Sequence, residues 1–139
     1  MNEISEQGFS LDRATIGTWL TLGDPAIAEI MAAAGFDWVV VDLEHSLLTL
    51  ETAGELIRVI ELRGASPLVR PTSNDPDQIK RVMDAGAHGI IVPMVLCADD
   101  AVRAVEATRY PPAGTRGVGL GRAHGYGYNF HQYVEWQVA

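Results

Sequence analysis

Three ionisable residues, Asp42, Glu44 and His45, follow at once on the apolar run Trp38-Val39-Val40-Val41, and Arg70 closes a second such run, Ser66-Pro67-Leu68-Val69. A histidine beside a carboxylate is a general base whose tautomer is fixed and whose basicity is raised. A guanidinium across from it can hold a carboxylate through two parallel bonds or stabilise an oxyanion. Base plus oxyanion stabiliser is the set that removes a proton next to a carbonyl and leaves an enolate. The same residues admit a plainer reading, in which Arg70 is locked to Asp42 or Glu44 as a structural ion pair and the polar turn merely caps the next helix. Trp19 either walls the same mouth or belongs to the core.

For these groups to meet, their runs must be neighbouring parallel strands. Asp37 to Asp42 is apolar without alternation, which predicts a strand buried on both faces. Thr15 to Leu20, Ser66 to Arg70 and His88 to Val92 read as further strands. Between them lie helix signals. Asp24-Pro25 opens a helix whose apolar stripe is Ile27, Ile30, Met31 and Ala34, ended by Gly35. Thr49 caps a second helix with Ala53, Leu56, Ile57 and Ile60 inward, stopped by Gly64. Asp75-Pro76 opens a third, with Gln78 three residues after the cap and Ile79, Val82 and Met83 inward, stopped by Gly86. Asp99 to Arg109 is a fourth, with Ala101, Val102 and Val105 inward. Asn129 to Ala139 is a last one, bearing Phe130, Tyr133, Val134 and Val138. Residues 34–41 echo 85–92, each a helix end, a glycine stop and a buried strand. The alternation is that of βαβ units and implies an α/β fold with a parallel sheet, either half of a (β/α)8 barrel or a small doubly wound sheet. In both, chemistry collects at the C-terminal ends of the strands, where Asp42, His45 and Arg70 fall.

Ala113 to Gly127 breaks the rhythm. It is rich in glycine and carries Arg116 and Arg122. Such a loop can cradle a phosphate or carboxylate, or be a flexible loop or a subunit contact. No Walker lysine follows it. The chain of 139 residues has 47% hydrophobic residues and a net charge of −8, which suits a globular domain and disfavours nucleic acid and anionic membranes as partners. The single Cys97 excludes an internal disulfide and is expected to be a buried thiol. No apolar run approaches the length of a membrane helix. Met1 to Asp12 is polar and of mixed charge, unlike a signal peptide, so a cytoplasmic location is expected.

Four stretches in order, Gly35-Phe-Asp-Trp-Val-Val-Val-Asp-Leu-Glu-His45, Val69-Arg-Pro-Thr-Ser-Asn-Asp-Pro-Asp-Gln-Ile-Lys80, Ile91-Val-Pro-Met-Val95 and Thr108-Arg-Tyr-Pro-Pro-Ala-Gly-Thr-Arg-Gly-Val-Gly119, make the chain resemble the HpcH/HpaI aldolase family from about Thr15 onward. The resemblance implies a TIM-type (β/α)8 barrel, of which residues 1–139 would be a single partial domain. That domain would hold the first four βα units, the Gly-rich loop and a further helix, stopping before strand five. It implies a metal-dependent pyruvate aldolase, a carbon–carbon lyase cleaving a 4-hydroxy-2-oxo acid to pyruvate and an aldehyde, working as a homo-oligomer that is a hexamer in the family. His45 matches the family's proton acceptor, and Arg70 the residue that stabilises the enolate and binds substrate. Asp42 matches an acid beside the histidine, Asp84 an acid said to raise its basicity, and Trp19 a wall of the aldehyde pocket. Asp84 falls at a helix C-terminus on the far end of the barrel, so within one chain it cannot reach His45. The family's metal ligands lie beyond Ala139. A divalent metal (Mg2+, Mn2+ or Co2+) is therefore expected in a complete enzyme and not in this chain alone. The competing expectation is an inactive half-barrel that serves only as an oligomerising or interaction module.

Overall fold

Leu20, Val41 and Val69 stand side by side on three adjacent strands, with Val39 two residues before Val41, and all four side chains are buried. They form the sheet's contribution to the core. In the computed structural model, which describes residues 13–138, the elements are β1 (Gly17–Leu20), α1 (Pro25–Ala33), β2 (Trp38–Asp42), α2 (Leu50–Leu62), β3 (Ser66–Arg70), α3 (Pro76–Asp84), β4 (Gly89–Ile90), α4 (Ala98–Thr108), a 3-10 turn (Arg122–Gly127) and α5 (Phe130–Val138). The four strands are parallel in the order β1-β2-β3-β4. A doubly wound sheet reverses its strand order at a switch point; a strictly sequential order is that of a barrel segment. The core cluster joins Leu20, Val39, Val41 and Val69 to Ala28, Leu56, Ile57, Ile60, Ile79 and Val82, so the first three helices cover one face of the sheet. By the alternation of strands, Trp19, Val40, Asp42, Leu68 and Arg70 belong to the other face.

The helix boundaries follow the capping residues. Asp24 accepts the Ala26 N–H, Thr49 accepts that of Thr52, and Asp75 accepts that of Asp77. Gly35, Gly64 and Gly86 end the first three helices at φ of +92°, +87° and +104°, a region that costs any residue with a Cβ. The inward faces of α2 and α3 are those expected. In α1 the expected Ile27 and Met31 pack against the core beside buried Ala28 and Ala32, while Ile30 is exposed; α4 is rotated, with Ala104 and Ala107 buried and Val102 and Val105 exposed. Small residues let a short helix lie close to its neighbours, so the alanines take the closest contact and Ile30, Val102 and Val105 are displaced to the flank. Gln78 does not complete a capping box; its Oε1 accepts from the Thr72 N–H and hydroxyl.

Cys97 is exposed, contrary to expectation, because it falls at the N-cap of α4 rather than inside an element. The fourth strand is two residues long instead of five, pairing with β3 only through Gly89 and Ile90. The sequence readings on Met1 to Asp12 and on Ala139 lie outside the described residues. Among the described residues no helix is long and apolar enough to cross a membrane.

Gly17 is required by a close approach. The Trp38 ring, whose indole N–H donates to Thr15 Oγ1 at 3.3 Å, lies where a Cβ on Gly17 would be. Gly17→Ala should therefore lower stability by about 1–3 kcal/mol, the usual cost of overpacking, read as a lower urea midpoint at unchanged m-value.

Candidate functional site

Asp42 and Arg70 are register partners at the C-terminal ends of β2 and β3, and on the same face of the sheet their side chains meet. Arg70 Nε donates to Asp42 Oδ1 at 2.9 Å and Nη2 to Oδ2 at 2.6 Å, a bidentate fork. Asp42 is 2% exposed, so an unpaired charge there would be costly. The hydrogen bond from Arg70, foremost, holds the Asp42 carboxyl below the usual range against the opposing effect of burial. The same pair, through the Asp42 hydrogen bond first, raises Arg70. Trp19 lies beneath the guanidinium, its ring centroid 4.5 Å from Cζ, a cation–π contact that fixes the plane of the fork.

The turn after β2 is built on the same carboxylate. Asp42 Oδ1 also accepts the backbone N–H groups of Glu44 at 3.0 Å and His45 at 3.2 Å. Ser46 Oγ donates to the Asp42 carbonyl and accepts the Leu48 N–H. The Leu43 N–H continues the strand ladder onto the Arg70 carbonyl at 2.9 Å. This is the Asx-type chemistry that makes aspartate a turn residue. It aims Glu44 back at the site: Glu44 Oε2 lies 3.2 Å from Arg70 Nε and 3.7 Å from His45 Nε2. His45 is exposed, with 69% of its side chain open to solvent.

Trp19, Asp42, His45 and Arg70 are thus brought together. The expected roles shift in one respect. Asp42 does not orient the His45 imidazole, because its oxygens are taken by Arg70 and by two backbone N–H groups. The carboxylate nearest the ring is that of Glu44, whose place in Asp42-Leu43-Glu44-His45 was the available signal.

Asp84 stands apart, at the C-terminus of α3 and the opposite end of the sheet. Its Oδ1 accepts from Arg116 Nη2 at 2.6 Å. Within the chain its partner is therefore an arginine from the Gly-rich loop and not a histidine. Arg116 is 2% exposed, also donates to the Tyr133 hydroxyl at 2.9 Å, and lies 4.7 Å from the Tyr110 ring centroid. Arg122 is paired with Glu61 and donates to the Ala85 carbonyl. Both arginines of 113–127 are spent inside the fold, so the loop forms no anion cradle. It is also tied down: buried His124 lies 2.7 Å from the Gly119 carbonyl through Nε2 and accepts the Gly127 N–H at Nδ1. Among the described residues no three His, Cys, Asp or Glu side chains converge on a point that could hold a metal ion.

Residues 15–135 match the family model described as HpcH/HpaI aldolase/citrate lyase. The chain is 43% identical over 129 residues to a 4-hydroxy-2-oxo-heptane-1,7-dioate aldolase of Salmonella dublin, covering 93% of this chain and 49% of that protein. It is similar to the crystal structure of an HpcH/HpaI aldolase from Desulfitobacterium hafniense DCB-2, at 34% identity and a TM-score of 0.82, over 90% of this chain and 49% of that one. A family protein from Burkholderia cenocepacia J2315 matches at 34% identity and a TM-score of 0.80, over 87% and 50%. The chain spans about half the length of these relatives.

The buried ion pair predicts an acid limb of stability. A carboxyl held below its usual value of 3.8 contributes stability that is complete above that value and lost as the pH falls through the depressed one. Asp42→Asn leaves Arg70 with Glu44 as its only carboxylate and should cost about 1.5–3 kcal/mol at neutral pH, the usual worth of hydrogen bonds to a charged group. Urea unfolding should show the gap between wild type and variant narrowing as the pH drops below 3.8; a gap constant with pH would mean the pair is not what holds Asp42 ionised.

Proposed function

The chain belongs to the HpcH/HpaI aldolase/citrate lyase family, and on that premise we propose that it supplies the proton-transfer and oxyanion-binding residues of a pyruvate aldolase. The reaction is reversible cleavage of a 4-hydroxy-2-oxo acid to pyruvate and an aldehyde. The observation that carries this reading is convergence. Arg70 and His45, from different elements, lie within 4 Å of one oxygen of Glu44 at the C-terminal ends of parallel strands, where barrel enzymes place their chemistry.

In cleavage, His45 takes the proton of the 4-hydroxyl; its exposure gives it access to a ligand entering the mouth. The oxygen's electrons form the aldehyde carbonyl, the carbon–carbon bond breaks, its electron pair passes into the pyruvyl unit as an enolate, and transfer of the proton held by His45 to the enolate carbon gives pyruvate and frees the base. Arg70 faces that charge with Nη1, the guanidinium nitrogen not used on Asp42 or Glu44. Asp42 keeps the fork from rotating, and Trp19 limits where an aldehyde can sit. In the other direction His45 returns the proton to the new alkoxide. The divalent metal implied by the resemblance does not fit the residues present, since both carboxylates near the site, Asp42 and Glu44, are committed to Arg70. One cationic stabiliser is worth about 3–4 kcal/mol, and enzymes lower barriers by about 8–23 kcal/mol. These residues alone fall short of an efficient aldolase.

A coupled pyruvate-release assay tests the reading. The 139-residue chain alone should show no turnover, and the chain joined to the second half of the Salmonella dublin relative should show it. In that chimera His45→Ala should lower kcat by about 10²–10⁴ with little change in melting temperature. Arg70→Lys should not restore activity, because an ammonium lacks the planar fork. No turnover in a folded chimera, or full kcat in His45→Ala, would defeat the assignment; turnover by the chain alone would show that these residues suffice without the second half, and full activity in Arg70→Lys would reduce Arg70 to a structural charge.

A further inference from the structure

The mouth holds one carboxylate more than its arginine needs. Asp42 already meets Arg70 through both oxygens. Arg70 Nε carries a single hydrogen, and it is given to Asp42 Oδ1. Glu44 Oε2, 3.2 Å from the same Nε, is therefore held there by charge, without that hydrogen. With His45 neutral, Arg70 and the two carboxylates carry one negative charge in excess. The Glu44 side chain is only 18% exposed, and a shielded charge is costly unless it is matched. A structural ion pair would be complete with Asp42 alone, so the second carboxylate calls for another cation. His45, whose Nε2 lies 3.7 Å from the same Glu44 oxygen, is the neighbour that can become one.

Resting on the aldolase reading above, we propose that Glu44 is the positioning residue of the base: it accepts the Nε2–H of His45, leaves Nδ1 to take the 4-hydroxyl proton, and is the counter-ion of the imidazolium so formed. A neutral imidazole has one donor and one acceptor nitrogen, so fixing one fixes the other. When the proton reaches Nδ1, the excess negative charge is cancelled. The enolate charge develops before Arg70 in the same step, and Glu44, drawn toward the imidazolium, loosens from the guanidinium as that charge arrives. When the proton passes on to the enolate carbon, or in the other direction to the alkoxide, His45 is neutral again and Glu44 returns. The other charged groups at this mouth do not serve the ring. Asp42, at the end of β2, is occupied by the Arg70 fork and by the N–H groups of Glu44 and His45. Arg70, at the end of β3, is a cation and opposes a second one. The movement needed is small, from 3.7 Å to the roughly 2.8 Å of a charge-assisted hydrogen bond. The exposed ring has room to turn, and the same exposure screens the attraction and keeps its effect modest.

Nuclear magnetic resonance of the 139-residue chain tests the pair without turnover. The His45 ring signals, identified by their loss in His45→Ala, should complete their acid–base transition at a lower pH in Glu44→Gln than in the unsubstituted chain. In the chimera with the second half of the Salmonella dublin relative, Glu44→Gln should move the acid limb of kcat/KM down by about 0.5–1 pH unit, the low end for an opposite charge close by. It should lower kcat by about 3- to 10-fold, the same difference carried into the transition state. KM should not rise, because removing a negative charge does not weaken the hold on an anionic 2-oxo acid. Glu44→Ala serves where the glutamine variant does not fold. Coincident titrations of His45 in the two chains would overturn the proposal. So would a raised KM with an unmoved acid limb, which would make Glu44 a support of Arg70 alone. A shifted titration with no turnover in a folded, unsubstituted chimera would instead defeat the aldolase reading and uphold the Glu44–His45 pair.

Discussion

A buried carboxylate forces most of what is distinctive about the upper end of this molecule. Asp42 ends a strand whose preceding three residues are wholly buried valines, and it is buried with them. Its charge is tolerable there only because Arg70, its register partner, meets it with two hydrogen bonds. Such a pair is weak evidence for net stability, since desolvation offsets much of the attraction. What it supplies is geometry. Oδ1 also holds the turn that carries Glu44 and His45, and the two oxygens together fix the guanidinium over Trp19 and leave Nη1 outside the pairs with Asp42 and Glu44. A change at Asp42 would disturb the base, the cation and the aromatic wall together, although it touches no substrate in the proposed reaction.

The lower end follows the opposite rule. There the polar groups face inward and are used up: Arg116 on Asp84 and Tyr133, Arg122 on Glu61, His124 on the backbone of its own loop. Arg116 Nε and the Tyr110 hydroxyl are buried without a hydrogen-bond partner, and the guanidinium's charge is met by the Asp84 carboxylate and by the tyrosine faces it lies against. This end fastens the Gly-rich loop and α5 under the sheet. One pole of the fold presents an exposed imidazole beside Arg70, and at the other Arg116, Arg122 and His124 are taken up inside. That asymmetry matches the division of labour between the two faces of a β/α barrel.

The order of the strands carries a further consequence. A sequential parallel sheet with its first three helices on one face has no switch-point crevice and no natural end. Its edges and its flanks of valine and isoleucine are satisfied only by more strands and helices of the same kind. Family membership and coverage of about half of each relative agree with this. The open flank beside β4 and the exposed residues around β1 are what a barrel segment presents when seen by itself.

Local chemistry determined a great deal by itself. Aspartate and threonine caps, helix-stopping glycines and unbroken valine runs set the α/β alternation, the element boundaries within a residue or two, and the inward faces of α2 and α3. They also placed Asp42, His45 and Arg70 at strand ends, because those signals act over one or two turns of chain. Tertiary structure decided which of several partners each charge took. The sequence left Asp42 free to serve His45 or Arg70, and register on adjacent strands gave it to Arg70. It left Arg116 free to face a ligand or the core, and burial against Tyr110, Tyr133 and Asp84 turned it inward. It offered α4 a valine stripe, and close approach to its neighbours chose Ala104 and Ala107, as it set Ala28 and Ala32 beside Ile27 and Met31 on the inner side of α1. Ion-pair choice and helix phase are settled by competition among contacts far apart in sequence, and no local pattern records the outcome.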